Sequence, residues 1–219
     1  MSRPWLAVSR EDYIKTVWEL RLTGEKVIAA QLGRELQISS AAVSKGLQRL
    51  VRDGLMAQGA EGAIRLTAEG QRLAERLVRR HRLVEKLLYE ALHYPWEEVH
   101  EEAERLEHAI SERLEARLLA HFGDQATCPH GYDVKPRPGR RPGGVPLADL
   151  AEGNGGRLVR VYEKEPALLR LFARLGLKPG ATVRLERRLA DDTFEVRVEA
   201  RRCQVGLKAA RGLWVTPES

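Results

Sequence analysis

Residues 39–54 read SSAAVSKGLQRLVRDG. Ser39 or Ser40 can cap a helix, Val43, Leu47, Leu50 and Val51 recur inward at helical spacing, and Gly54 is a natural stop. The outer face of this helix opens with small and polar side chains, Ser40, Ala41, Ala42, Ser44 and Lys45, with Arg49 one turn on. Small residues permit close approach to a groove, while Ser, Lys and Arg reach base edges or phosphates. Upstream, Val27, Ile28, Ala30, Leu32 and Leu36 predict a helix of about ten residues, so the pair forms a helix-turn-helix. Before it, Ser9-x-x-Asp12 can cap a helix to Leu22 that carries Tyr13, Ile14, Val17, Trp18 and Leu20. Downstream, Leu55–Ala57 and Ala63–Leu66 predict two short strands around a Gln58–Gly62 turn, the wing of a winged helix. Residues 1–70 therefore read as a DNA-binding domain, with Ser39, Ser40, Ala41, Ala42, Ser44, Lys45 and Arg49 as candidate contacts. A purely structural helical hairpin would share the apolar spacing; the wing and the charge favour DNA.

The charge is +6, from 37 Lys and Arg against 31 Asp and Glu, and points to an anionic partner, double-stranded DNA before a membrane surface. No apolar run is long enough to span a bilayer, and MSRPWLAVSRED has no apolar signal core, so the expected location is the cytoplasm. Cys128 and Cys203 stand far apart and outside any CxxC pair, which excludes a disulfide framework and a zinc ribbon. There is no P-loop and no GxSxG nucleophile motif.

From Thr67 a long helix carries Leu73, Leu77, Val84, Leu87, Leu88 and Leu92, and Pro95 opens a second that runs to about Phe122, antiparallel to the first. On that second helix His100, Glu104, Glu107 and His108 form a stripe, and His81 and Glu85 stand one turn apart on the helix before it. Mixed imidazole and carboxylate donors suit manganese, iron, cobalt or zinc. The alternatives are a solvated charged face, with His81 inside the basic run 79–82, or a metal-binding helical-bundle enzyme or storage protein. Glu90-x-x-His93 and Glu97-x-x-His100 have the di-iron spacing but lie seven residues apart across Pro95, which argues against such an enzyme. Residues 71–135 thus read as a helical domain and 136–147, rich in Pro, Gly and Arg, as a linker. Residues 148–219 read as a small closed β-barrel with strands near 156–162, 181–187, 193–200 and 212–215 and a short helix near 167–175.

The winged helix, His81-x-x-x-Glu85, the string from His100 through Glu104 to Glu107-His108, Cys128-Pro129-His130-Gly131 and the terminal barrel together resemble the diphtheria-toxin-repressor family of metal-dependent transcription regulators in its three-domain form. The resemblance spans essentially the whole chain and is strongest over residues 9–131. It implies a mainly α fold with a small β part: an N-terminal winged helix-turn-helix, an α-helical dimerisation and metal-binding domain, and a C-terminal SH3-like barrel akin to ferrous-transport protein A. It also implies a homodimer that binds palindromic operator DNA when loaded with Mn(II) or Fe(II) and represses metal-uptake genes, with no small organic substrate and no enzymatic activity. The implied primary metal site is Asp12, Glu104, Glu107 and His108; the ancillary site is His81, Glu85 and His100, with Glu163 from the barrel. Asp12 and Glu104 stand where iron-type members have Met and Cys, and these harder ligands favour manganese, with Zn(II) or Co(II) able to substitute in vitro. Lys15 replaces the second acid of two-domain manganese regulators, and Pro166 replaces a frequent amide, leaving that place to Glu165 or a water. His93, His121 and His130 are read as structural or solvent-facing. A metal-independent winged-helix DNA-binding protein remains the competing reading.

Overall fold

The computed structural model describes residues 8–22, 26–135 and 143–218; most of the expected linker, 136–142, and the Thr23-Gly24 break lie outside them. The chain divides into two compact units, Met1–Arg79 and Arg80–Ser219. The second unit contains both the helical segment and the barrel.

In the first unit α1 (Arg10–Arg21) begins at a reciprocal cap: Ser9 Oγ accepts from the Asp12 amide at 3.1 Å, and Asp12 Oδ2 accepts from the Ser9 amide at 2.7 Å. Its apolar face buries Tyr13, Ile14, Val17 and Trp18. Helix α2 (Ala29–Leu36) is shorter than expected, because Ile28 is extended and its amide donates to Gln31 Oε1 at 2.9 Å. Gln37 takes the left-handed conformation at φ 55 and makes the turn. Helix α3 (Ser40–Arg52) follows with Ser39 as N-cap. It buries Val43, Leu47 and Leu50, but Val51, expected inward, is exposed, since it lies a quarter turn off that stripe. Strands β1 (Met56–Gln58) and β2 (Ile64–Leu66) pair antiparallel with Met56 opposite Leu66, forming the wing.

The contact that sets α3 against α1 is Tyr13. Its hydroxyl donates to the Ala42 carbonyl at 3.0 Å, and its ring occupies the space beside Gly46, where a Cβ would lie 2.5 Å from ring atoms.

Helix α4 (Ala68–Lys86) widens at its end into a π-helical turn, Leu87–Ala91, after which His93 is left-handed and exposed. The single helix expected from Pro95 to Phe122 is two: α5 (Val99–Leu106) and α6 (Glu112–Phe122). Pro95 instead forms a turn in which its carbonyl accepts from the Glu98 amide, and Ser111 caps α6 by accepting from the Leu114 amide. The stripe is therefore bent: His100 and Glu104 lie on α5, Glu107 is its C-cap residue, and His108 stands in the turn beyond.

The barrel is an antiparallel sheet in the order β3-β8-β4-β5-β6-β7, built from β3 (Val145–Pro146), β4 (Gly155–Val161), β5 (Thr182–Arg188), β6 (Thr193–Val198), β7 (Arg201–Gly206) and β8 (Leu213–Pro217), with α7 (Pro166–Leu175) and α8 (Leu207–Arg211). Strand β3 begins inside the stretch read as linker, and β7 has no counterpart in the sequence reading because its first residues are exposed and polar. Among the described residues β3 and β7 are not paired; the Leu147–Asp149 turn and α8 fill that seam. The core includes Leu158, Val161, Phe172, Phe194 and Val215, and it takes in Trp96 from the helical segment.

Gly→Ala in an exposed helix normally adds about 1 kcal/mol of stability. At Gly46 the sign should reverse, because Tyr13 must move: Gly46→Ala is expected to lower the unfolding free energy by about 1–3 kcal/mol in a denaturant titration. A more stable Gly46→Ala protein would mean that the Tyr13 contact does not constrain α3.

Candidate metal centre

On α4, His81 and Glu85 face one way, one turn apart, and both are buried. His81 joins two groups of ligands. Its Nδ1 lies 2.5 Å from Glu107 Oε2 and 3.8 Å from Glu104 Oε1, while its Nε2 lies 3.1 Å from Glu85 Oε1 and 3.0 Å from His100 Nδ1. On the other face of α5 Arg105 pairs with Glu101 and Glu102 in solvent. The helix is thus solvated on one side only; Glu107 is 1 % exposed at its side chain and Glu104 17 %, against 60 % for Glu101.

Glu85 Oε1 is also 3.1 Å from His100 Nδ1 and 3.2 Å from His130 Nδ1. Glu163, just past β4, brings Oε2 to 3.3 Å from His130 and 4.0 Å from His100. Three sets of donor atoms, each within 4.8 Å of one another, result: His81, Glu85, His100 and Glu163; Glu85, Cys128, His130 and Glu163; and His81, Glu104 and Glu107. The four residues expected at an ancillary site are thereby brought together.

His130, read from the sequence as structural or solvent-facing, lies among these donors. It is wholly buried, between Glu85 and Glu163, and its Nε2 lies 3.2 Å from the Trp96 carbonyl. The available signal was Cys128-Pro129-His130-Gly131, a compact Cys and His pair that matched the family pattern without a role. His121, by contrast, is exposed and packs edge-on against Phe122.

The donor set fits a divalent cation. Glu85 Oε2 is buried without a hydrogen-bond partner, and Glu163 Oε2, also buried, faces the His130 ring at 3.3 Å; carboxylates so placed favour a further positive charge. Neighbouring cations are directed to other groups: Arg80 pairs with Glu115 at 2.8 Å, and Arg82 donates to the Asp133 carbonyl. Burial penalises the Glu85 carboxylate, but the charges of His81 and His130 and hydrogen bonds from His100 and His130 hold its pKa well below the usual range. Burial lowers the pKa of His100. Burial also raises the Cys128 thiol, and Glu85 and Glu163 add to the rise, so this sulfur keeps its proton more firmly than a free cysteine.

Of the expected primary ligands, Glu104 and Glu107 approach His81, and His108 stands 3.6 Å from Glu107 with part of its ring in solvent. Asp12 belongs to the first unit, where it caps α1. On α3, Ser39, Ser40, Ala41, Ala42, Ser44, Lys45 and Arg49 are all exposed. Gln48, absent from that set, is exposed one turn from Ser44 and Lys45 and shares their face.

Comparison with known proteins agrees with this architecture. Residues 6–63 match the family described as iron dependent repressor, N-terminal DNA binding domain; residues 67–136 match its metal binding and dimerisation domain; residues 145–217 match the FeoA domain. The iron-dependent repressor IdeR of Mycobacterium tuberculosis is 33% identical over 195 residues, covering 83% of this chain and 85% of that protein. The diphtheria toxin repressor of Corynebacterium diphtheriae is 32% identical over 166 residues, covering 76% and 72%. A manganese-dependent transcriptional repressor in complex with manganese superposes with a TM-score of 0.84 at 31% identity, covering 96% of this chain and all of that one. ScaR with bound zinc superposes at 0.80 and 29% identity, covering 95% and 99%. These relatives are DNA-binding repressors and not enzymes. The chain belongs to the diphtheria-toxin-repressor family and is a metal-dependent transcriptional repressor.

Proposed function

We propose that this repressor responds to manganese and silences metal-uptake genes as a cytoplasmic homodimer on a palindromic operator. The observation that carries the metal reading is the buried cluster of imidazoles and carboxylates around Glu85, whose Oε2 has no hydrogen-bond partner. Manganese is favoured over iron at the primary site because Asp12, Glu104 and Glu107 supply oxygen and only His108 supplies nitrogen. The second centre draws on His81, Glu85, His100, His130 and Glu163, and Cys128 joins it only by giving up a firmly held proton.

A bound divalent cation supplies the positive charge that lets these carboxylates share one site. The chain's own part is positional. Asp12 immediately precedes Tyr13 on α1, and Tyr13 fixes α3 through the Ala42 carbonyl and the space at Gly46. Holding Asp12 therefore holds α3, and in a dimer that spacing selects operators whose half-sites match.

Glu104→Ala or His108→Ala is expected to leave the dimer folded and to abolish the gain in operator affinity on adding manganese, a gain of at least about tenfold by fluorescence anisotropy for a coupling in the ordinary range. Tight operator binding by either variant in chelator would overturn the mechanism. Lys45→Ala should weaken operator binding and flatten its salt dependence while manganese affinity stays unchanged; equal losses in both would show that the two roles are not separate. At the second centre the metal-free state carries protons that an ion must displace. Burial alone would depress His130, but Glu85 and Glu163 push its pKa up to about 10, so it is protonated at neutral pH. Binding there releases a proton, and calorimetry should show manganese affinity rising between pH 6 and 8 by about tenfold per pH unit for each proton lost. An affinity independent of pH would remove His130 from the ligand set.

A further inference from the structure

Strand β4 carries an irregularity: its pairing with β8 shifts between Leu158 and Arg160. In an unbroken strand, residues three apart face opposite sides of the sheet. The extra residue, Val159, brings Arg157 and Arg160 to one side while Leu158 and Val161 both remain in the core. The two arginines border a cleft of about 560 Å³, whose other walls include Thr127, Tyr132, Gly180 and Thr216. Asp133 is the acidic residue among its lining, against these two cations.

Arg160 is only 7 % exposed. Its guanidinium lies 4.0 Å from the centre of the Trp214 ring and 5.3 Å from that of Tyr132, and its Nε is buried with no hydrogen-bond acceptor. Other buried cations of this unit have acceptors: Arg82 has the Asp133 carbonyl, and Lys86 has Glu90 and the Thr127 carbonyl. A guanidinium cannot shed its charge, and its planar fork of donors matches a carboxylate or phosphate group. The Trp214 and Tyr132 rings beside it restrict the guanidinium before any ligand arrives.

We propose that this cleft binds a compact oxyanion, inorganic phosphate or the carboxylate of a small metabolite, held by Arg160 from within and Arg157 at the rim. Gly131, at φ +93, packs its Cα against the Val159 carbonyl so closely that a Cβ would meet it at 2.0 Å, and the Val161 amide donates to the His130 carbonyl at 3.0 Å. The loop that lines the cleft is thus the loop that carries Cys128 and His130. An effect of the anion on metal affinity follows only if the metal reading holds; anion binding itself does not depend on it.

The test uses the full-length, metal-free chain, titrated separately with phosphate and with succinate at constant ionic strength and followed by the arginine Nε–H signals in ¹⁵N NMR. The expected result is saturable movement of the Arg160 signal by at least one of the two, the preferred one naming the ligand class. Arg157→Gln, at an exposed position, should keep the fold and weaken binding several-fold, and Arg160→Gln should weaken it at least about tenfold, as for loss of a charge-assisted pair. An Arg160 signal unmoved by either anion, or binding that both variants leave intact, would overturn the assignment. A parallel manganese titration, in which the metal result fails while the anion result stands, separates this proposal from the metal reading.

Discussion

One carboxylate oxygen, Glu85 Oε1, lies within 3.2 Å of three imidazoles, those of His81, His100 and His130. These come from α4, from α5 and from the loop before the barrel, so one buried charge ties three separate stretches of chain together. A wholly buried carboxylate is costly to desolvate and is kept only where positive charge or donors surround it. His130 meets that requirement by holding a proton: against the opposing effect of burial, Glu85 and Glu163 raise its pKa to about 10, and His81 and His100 add polar contacts. The same arrangement ties the metal-free fold together and gathers donor types that suit a divalent ion.

The surroundings of Glu85 keep this geometry rigid. Trp96 sits in the barrel core while its indole N–H donates to the Pro129 carbonyl at 2.9 Å. His130 is held from both sides, by its carbonyl on Val161 and by its ring against Trp96. The helical segment and the barrel share these contacts, and residues 80–219 form one compact unit. In the first unit the comparable joint is Tyr13 over Gly46, a contact small enough that one methyl group would disturb it.

Local signals in the chain were reliable where local physics decides. The caps at Ser9 and Ser39, the stop at Gly54 and the wing strands follow from side-chain to backbone hydrogen bonds and alternation, and all appear close to where their spacing places them. The stripe from His100 to His108 misled in one respect. Helical spacing can be counted across any run of residues, but Ser111 begins a new helix, so α5 ends with Glu107 as its C-cap and His108 stands in the turn beyond. Strand β7 was illegible because an edge strand with exposed arginines has no inward alternation to read.

The sequence by itself determined the winged helix, the helical middle and the SH3-like end, and it placed a dense His and Glu string on the helical part, because caps, periodicity and composition are short-range properties. Only the tertiary structure decided that His130 lies between Glu85 and Glu163, and that a bulge turns Arg160 to the same side as Arg157. Each depends on groups 30 or more residues apart in the chain, or on a one-residue shift in pairing between strands, and neither leaves a mark in local spacing.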